Sequence, residues 1–407
     1  MINENNKHSW CVNAEHAISG NNEGTTKICC MISPVDSNGV SYYDPRKIGE
    51  TPLIDHFNKP QFQEVRDFLK EGKRHPACTN CWNEEDSGRK SKRLRDNDVY
   101  QHDIKWNLQK YDGIVKVELN LGNTCNIKCR TCHPAISSGW MREYYEVYEQ
   151  NNVASYNDWA EGMKKYYLSY DETSPFWDDI QQHLGTIKQF DFYGGEPFLS
   201  KKMWQLLKIA ADSGVSKNIA LHYNTNGTMW PTRDIESWKD FKSINLSFSI
   251  DGIGDQFEYM RFPAKWEDLK TNIDNARKYR DTYGNISLSW CITLSTINIY
   301  YLPEILEEYY ANYSDFGLYL NLVHGPIHYN ISKLPEHVKH KVIAKLESTP
   351  KEYTSAWHQL PGIIGFIRDG QPEEDVWQEF LTKTKTHDTY RNQLFDVIFK
   401  DYSELIT

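Results

Sequence analysis

The sequence predicts an α/β protein, and two observations carry that prediction. From about residue 114, short β-branched or aromatic runs alternate with longer helical patterns, the signature of βαβ units and a parallel sheet. The segments richest in Cys, Gly and Asn follow those runs directly, at the strand ends where β/α sheets and barrels place their sites.

Six strands are expected, at 114–121 (IVKVELNL), 186–193 (TIKQFDFY), 218–225 (NIALHYNT), 243–250 (SINLSFSI), 285–294 (NISLSWCITL) and 316–323 (FGLYLNLV). Amphipathic stretches at 201–213, 266–283 and 302–312 are long enough to cross back over a sheet with right-handed sense. Six such units make a doubly wound sheet or an incomplete barrel. More than fifty residues separate Cys132 from the second strand, so at least two helices fit there.

Before residue 100 lie short polar segments, several Gly and Pro, and five cysteines, which suggests a small domain organised more by metal than by a core. After the sixth strand the chain turns helical, with Pro335 opening one helix and the aromatic-rich stretch 376–405 forming the last. The expected organisation is therefore a small metal-cluster domain over 1–105, a β/α domain over 106–328 and a helical region over 329–407.

The 407 residues, 39% hydrophobic and 25% charged, are ordinary for a globular protein. A formal net charge of -10 argues against nucleic acid and anionic membrane as partners, since both require a basic face. The basic run 89–95 (RKSKRLR) reads as a solvated linker or helix face. No apolar run reaches the roughly 18 residues of a membrane span, and MINENNKHSW lacks the regions of a signal peptide, so a cytoplasmic location is expected. In a reducing compartment clustered cysteines read as metal ligands rather than disulfides. Cys291, alone in an apolar strand, reads as a core residue.

Directly after the first strand comes GNTCNIKCRTC, with Cys125, Cys129 and Cys132 in a CxxxCxxC arrangement. Three thiolates in such a loop can hold three corners of a 4Fe-4S cubane and leave the fourth iron open for chemistry. Zinc is the main alternative. A structural zinc site closes with four ligands, however, and His133 beside Cys132 is poorly placed to be the fourth.

The CxxxCxxC motif after the first strand resembles the cluster motif of the radical S-adenosylmethionine (SAM) superfamily, and other motifs arrive in that family's order. The second strand ends in YGGEP, where the resemblance implies that Gly194, Gly195, Glu196 and Pro197 receive the amino group of SAM. NTNG (224–227) and SIDG (249–252) are similar to segments of SPASM- and twitch-type members. They imply that Asn226 and Ser249 lie near the nucleoside or substrate, and that Arg261 pairs with the SAM carboxylate. Many members carry an aromatic residue just before the third cysteine; Thr131 stands there. Covering about residues 114–325, the resemblance implies a partial (β/α)6 TIM-like barrel.

Gly24 followed five residues later by Cys29 resembles the GxxxxC element of SPASM and twitch domains, which usually follow the barrel and here would precede it. Cys11, Cys29, Cys78 and Cys81 would ligate an auxiliary 4Fe-4S or 2Fe-2S cluster, with Cys30 the substitute for Cys29; a zinc knuckle on Cys78 and Cys81 is the structural alternative.

The implied activity is reductive cleavage of SAM to a 5′-deoxyadenosyl radical that abstracts a substrate hydrogen, fed by an electron donor such as flavodoxin or ferredoxin. A peptide or protein substrate requires an open groove, and a small metabolite a closed pocket. A non-catalytic, metal-stabilised binding module is the reading from another class; the intact GGEP and cysteine triplet argue against it. No residue is singled out as catalytic, although His324 and Asn321 near the sixth strand's end could contact substrate.

Overall fold

Alternation along the barrel-type strands sorts side chains by chemistry. In the computed structural model, β4 (Lys116–Asn120) sets Val117 and Leu119 on one face and Lys116, Glu118 and Asn120 on the other, with the first four residues buried. Burial on both faces is the mark of a parallel strand covered on each side. All residues are described except 1–3, 34, 36–38, 87, 89, 103–112, 154 and 407. Arg89 and the expected boundary between residues 105 and 106 lie outside the described residues.

Nine strands form the sheet, in the order β3-β2-β1-β4-β5-β6-β7-β8-β9. The six expected strands are β4, β5 (Gln189–Tyr193), β6 (Ala220–Thr225), β7 (Ser243–Ser249), β8 (Ile286–Leu294) and β9 (Gly317–Leu322). Parallel pairing joins β4 to β5, β5 to β6 and β8 to β9. This mixed α/β sheet accommodates the expected partial barrel. Three further strands precede it: β1 (Ala17–Gly20), β2 (Thr25–Lys27) and β3 (Tyr43–Lys47). β1 runs parallel to β4, with Ala17 opposite Lys116 and Gly20 opposite Leu119, whereas β2 and β3 add antiparallel.

The chain divides into two compact units. One comprises Met1–Thr124, Ala160–Tyr223 and Thr232–Ile244. Its N-terminal part has a core of its own, in which Phe62, Val65 and Leu69 of helix Pro60–Lys70 meet Ala14, Ile28, Ile32, Tyr42 and Trp82. Each large side chain buried there contributes about 1.5–3 kcal/mol. Helix Lys201–Asp212 is capped by Ser200, whose Oγ accepts from the Met203 amide at 3.3 Å, and buries Met203, Leu206, Leu207 and Ala210.

The other unit comprises Cys125–Trp159, Asn224–Pro231 and Asn245–Thr407. Helix Trp266–Tyr283 ends on Gly284 at φ 73°, the left-handed cap glycine favours. Cys291 is buried in β8, as a core residue should be. Pro335 precedes helix Glu336–Glu347. The single last helix expected over 376–405 is instead Glu374–Arg391, Phe395–Ile398 and Lys400–Ile406, because Asn392 turns left-handed at φ 53° and ends the first. Among the described residues no helix is long and apolar enough to cross a membrane.

Candidate functional site

The cysteine loop is held by its own backbone and by the short turn that follows. Cys132 N donates to Cys129 O at 3.0 Å, Trp140 Nε1 donates to the same carbonyl at 2.9 Å, and Cys125 N donates to Ser138 Oγ at 3.1 Å. Gly139 leaves room for the loop, since a Cβ there would stand 2.7 Å from Ile127 O. Two polar side chains reach the sulfurs. Asn226 Nδ2 lies 3.8 Å from Cys125 Sγ, and Arg261 Nη1 lies 3.7 Å from Cys129 Sγ. Asn226 also donates to Asn126 Oδ1 at 2.9 Å and accepts from the Thr228 amide at 2.9 Å, which fixes its orientation.

Arg261 is buried and pairs through Nη2 with Asp251 at 2.7 Å. Burial works against its charge, but Asp251 and Cys129 outweigh that and raise its pKa. Burial also pushes the Cys132 thiol up to about 11, with Cys125 adding to the rise and Arg261 opposing it; Cys129 is raised by burial and by Cys132 and Cys125. The three thiols therefore sense one another beside a fixed cation, a donor set that fits an iron–sulfur cluster. Ser249 is half-buried at the end of β7.

The GGEP turn belongs to the unit that also contains Met1–Thr124. Gly194 and Gly195 have φ 77° and 50°, a region other residues avoid. A Cβ on Gly194 would fall 1.4 Å from Asn120 Oδ1, and one on Gly195 2.2 Å from Thr124 O. The Glu196 amide donates to Thr124 O at 2.8 Å, and its buried carboxylate accepts from the Phe198 amide at 3.2 Å, capping the turn that Pro197 opens. Asn120 Oδ1 is buried without a hydrogen-bond partner among the described residues. The turn is thus a backbone cradle that only glycine allows.

Residues 119–310 match the family model described as the radical SAM superfamily. This segment is a radical SAM domain. No curated protein matches the chain in sequence. Similar solved structures include native anSMEcpe with bound AdoMet, at 17% identity over 64% of this chain and 63% of that chain, with a TM-score of 0.39. Another holds native anSMEcpe with AdoMet and the Cp18Cys peptide, at 15% identity, 60% and 61% coverage and a TM-score of 0.37. A third is Streptococcus suis SuiB bound to S-adenosylmethionine, at 10% identity, 78% and 55% coverage and a TM-score of 0.35. The chain spans less than two thirds of the length of each.

Outside the radical SAM domain, four of the five N-terminal cysteines lie close enough to perturb one another. Cys11, Cys29 and Cys78 pack on the core of Phe62, Val65 and Trp82, and Cys81, next to Trp82 in helix Thr79–Asp86, is buried. Burial lifts Cys11 to about 12, with Cys81 adding to the rise; burial, Cys11 and Cys81 raise Cys29, and burial, Cys29, Cys11 and Cys81 raise Cys78. Among the described residues no three Cys, His, Asp or Glu side chains take the geometry of a single-ion site.

Cys30 faces elsewhere. Its amide donates to Glu118 Oε2 at 2.8 Å, within a buried ionic network in which Lys116 Nζ lies 3.0 Å from Asp96, 3.4 Å from Glu118 and 3.1 Å from Asp191. Lys92 joins it at 3.0 Å from Asp96 and 3.4 Å from Glu118. The solvated reading of the basic run holds at Lys90, which is exposed, and fails at two residues. Lys92 is largely and Arg93 fully covered, because Asp96 and Glu118 compensate the first and Glu85 the second.

Of the two candidates near the sixth strand's end, Asn321 is half-buried and His324 is exposed. Sequence reasoning did not single out Glu143, His387, Asp388 or Arg391, which surround the cysteine loop. No local motif carries them, because Glu143 meets His387 and Arg391, and Asp388 meets Arg130, across more than 200 residues.

Proposed function

We infer that the chain is a radical SAM enzyme acting on a peptide or protein, with a 4Fe-4S cluster on Cys125, Cys129 and Cys132 and an auxiliary iron–sulfur cluster on Cys11, Cys29, Cys78 and Cys81. When bound, the reduced cluster and S-adenosylmethionine together supply a 5′-deoxyadenosyl radical that takes a hydrogen atom from the substrate. The observation that carries this reading is the cysteine loop with Arg261 and Asn226 on two of its sulfurs.

Each residue has a role that follows from its chemistry. Gly194 and Gly195 open the backbone to the amino group of the cofactor, while Glu196 and Pro197 fix the turn. Arg261 holds a positive charge at Cys129; its Nε–H, buried without a partner among the described residues, is the donor left for a carboxylate. Asn226 and Ser249 serve the nucleoside or substrate. The peptide substrate rests on the resemblance to SPASM- and twitch-type enzymes, and the auxiliary cluster on that resemblance and on the proximity of the four N-terminal thiols.

The test is formation of 5′-deoxyadenosine by the reconstituted, reduced chain supplied with S-adenosylmethionine. Product from the wild type and none from Cys129→Ser is expected. A wild type that holds its cluster and forms no product would overturn the reading.

A further inference from the structure

Helix Glu374–Arg391 carries Thr384, Asp388 and Arg391 at spacings of four and three, which puts all three on one face. Thr384 and Arg391 are buried, as is Arg130, which pairs through Nη2 with Asp388 and donates to Gln393 Oε1 at 2.9 Å. Two guanidiniums are thereby brought to one helix face. They sense each other: burial lowers the Arg391 pKa first, and the Arg130 charge lowers it further, against the pull of Glu143.

Neither guanidinium has all its donors engaged. Arg391 meets Glu143 through Nε alone, 3.0 Å from both carboxylate oxygens, while its Nη1 and Nη2 are buried without a hydrogen-bond partner among the described residues. Arg130 Nε and Nη1 and Thr384 Oγ1 are buried and unpartnered in the same sense. The acceptors nearby are already taken. Glu143 also accepts from His387 Nδ1 at 2.7 Å and pairs with Lys128 at 2.7 Å, and Asp388 also accepts from Tyr259 Oη at 2.6 Å and from the Phe395 amide at 2.7 Å. A π-helix over Tyr145–Glu149 brings Tyr148 Oη to 3.0 Å from His387 Nε2, so that ring is engaged at both nitrogens. Tyr259 and Trp140 lie 4.1 and 4.4 Å from the Arg130 and Arg391 guanidinium carbons, contacts through the π-face that supply no in-plane acceptor.

The charge balance gives the sign of the ligand these donors suit. Three cations, Lys128, Arg130 and Arg391, meet two carboxylates, Glu143 and Asp388. Burial lowers the His387 pKa, so that ring adds no charge at neutral pH. The next charges cancel in pairs, Arg142 with Glu146 at 3.6 Å and Lys383 with Glu379 at 3.3 Å. A buried cation in excess is costly, and water would satisfy its N–H groups without cancelling the charge. We propose that Arg130, Arg391 and Thr384 bind a small monovalent anion, with chloride as the occupant. Enclosure of the three side chains limits the ligand to a small ion, and one negative charge completes the balance. The site stands whether or not the cysteine loop holds a cluster.

The experiment is thermal unfolding of the anaerobically purified full chain as chloride replaces isethionate, a larger anion, at constant ionic strength, together with crystals of the same protein in sodium bromide. The expected result is a midpoint that rises with the logarithm of chloride concentration, because a ligand held only by the folded chain stabilises it by mass action. An anomalous bromide peak within hydrogen-bond reach of both guanidiniums is expected alongside it. Arg391→Met is expected to lose the chloride dependence. Thr384→Val, which removes the hydroxyl at similar volume, is expected to need several-fold more chloride for the same rise. Where Arg391→Met does not fold, the wild type and Thr384→Val decide the matter. A midpoint indifferent to the exchange of isethionate for chloride would overturn the proposal, as would ordered water in place of bromide. A bromide peak with a flat midpoint is binding at crystal concentration only and would overturn it too.

Discussion

The Cys30 amide donates to Glu118 Oε2 at 2.8 Å, and its thiol stands 3.5 Å from Oε1 of the same carboxylate. Its chain neighbour Cys29 packs instead on the core that also receives Cys11 and Cys78. Adjacent residues in an extended or turning segment point to different sides, so one of the pair faces the core and the other the ionic network.

That division predicts different outcomes for neighbouring substitutions. Cys30→Ala retains the auxiliary iron, whereas Cys29→Ala loses it, as iron and sulfide analysis of the anaerobic protein reads directly. Equal loss in both variants would contradict the assignment of Cys29.

Serine at Cys125, Cys129 or Cys132 is expected to abolish S-adenosylmethionine cleavage, to below about 1% of wild type, because each thiolate holds one corner of the cluster. Serine at Cys78 or Cys81 leaves the triplet cluster able to form. Counting 5′-deoxyadenosine per chain separates the two sets, and retained cleavage in the first would sink the assignment.

Gly195→Ala forces a Cβ to within 2.2 Å of Thr124 O at a φ of 50°. Backbone strain of this kind costs on the order of 1–3 kcal/mol, and the turn must shift to relieve the clash. Lower stability in urea together with weakened S-adenosylmethionine binding by calorimetry is expected. Wild-type binding would show that the turn is not the cofactor's cradle.

Glu143 governs an acid dependence. Burial acts to raise its pKa, but the His387 hydrogen bond, Arg391 and Lys128 bring it down to about 2 from 4.5. A depressed carboxylate contributes stability that is present above its unfolded value and lost as pH falls through the folded one. Roughly 3 kcal/mol is therefore lost between pH 4.5 and 2. Urea midpoints across that window should fall less steeply in Glu143→Gln than in wild type. Parallel curves would contradict the ion-pair account.

Much of this architecture is legible in the sequence because it is local. Strands β4 to β9 follow from β-branched and aromatic runs, and the cysteine loop and GGEP turn from contiguous motifs. β1 is not legible, being four residues (AISG) whose place beside β4 depends on pairing across almost a hundred residues. Lys92 and Arg93 read as solvated because a charge run carries no sign of where its partners are; Glu118 and Glu85 supply them from other elements. Glu143 and His387 meet across 244 residues, and only a π-turn brings Tyr148 to the same ring. Periodicity describes a face of a helix, and it is silent about the charge that faces it.

The measurement that bears most directly on the central claim is iron, zinc and sulfide content of the anaerobically purified chain, with electron paramagnetic resonance of the reduced protein before and after adding S-adenosylmethionine. The account predicts more iron than one cubane holds, matching sulfide, and a signal that changes when S-adenosylmethionine is added. A reconstituted chain that holds no iron, or a cluster signal indifferent to S-adenosylmethionine, would contradict it.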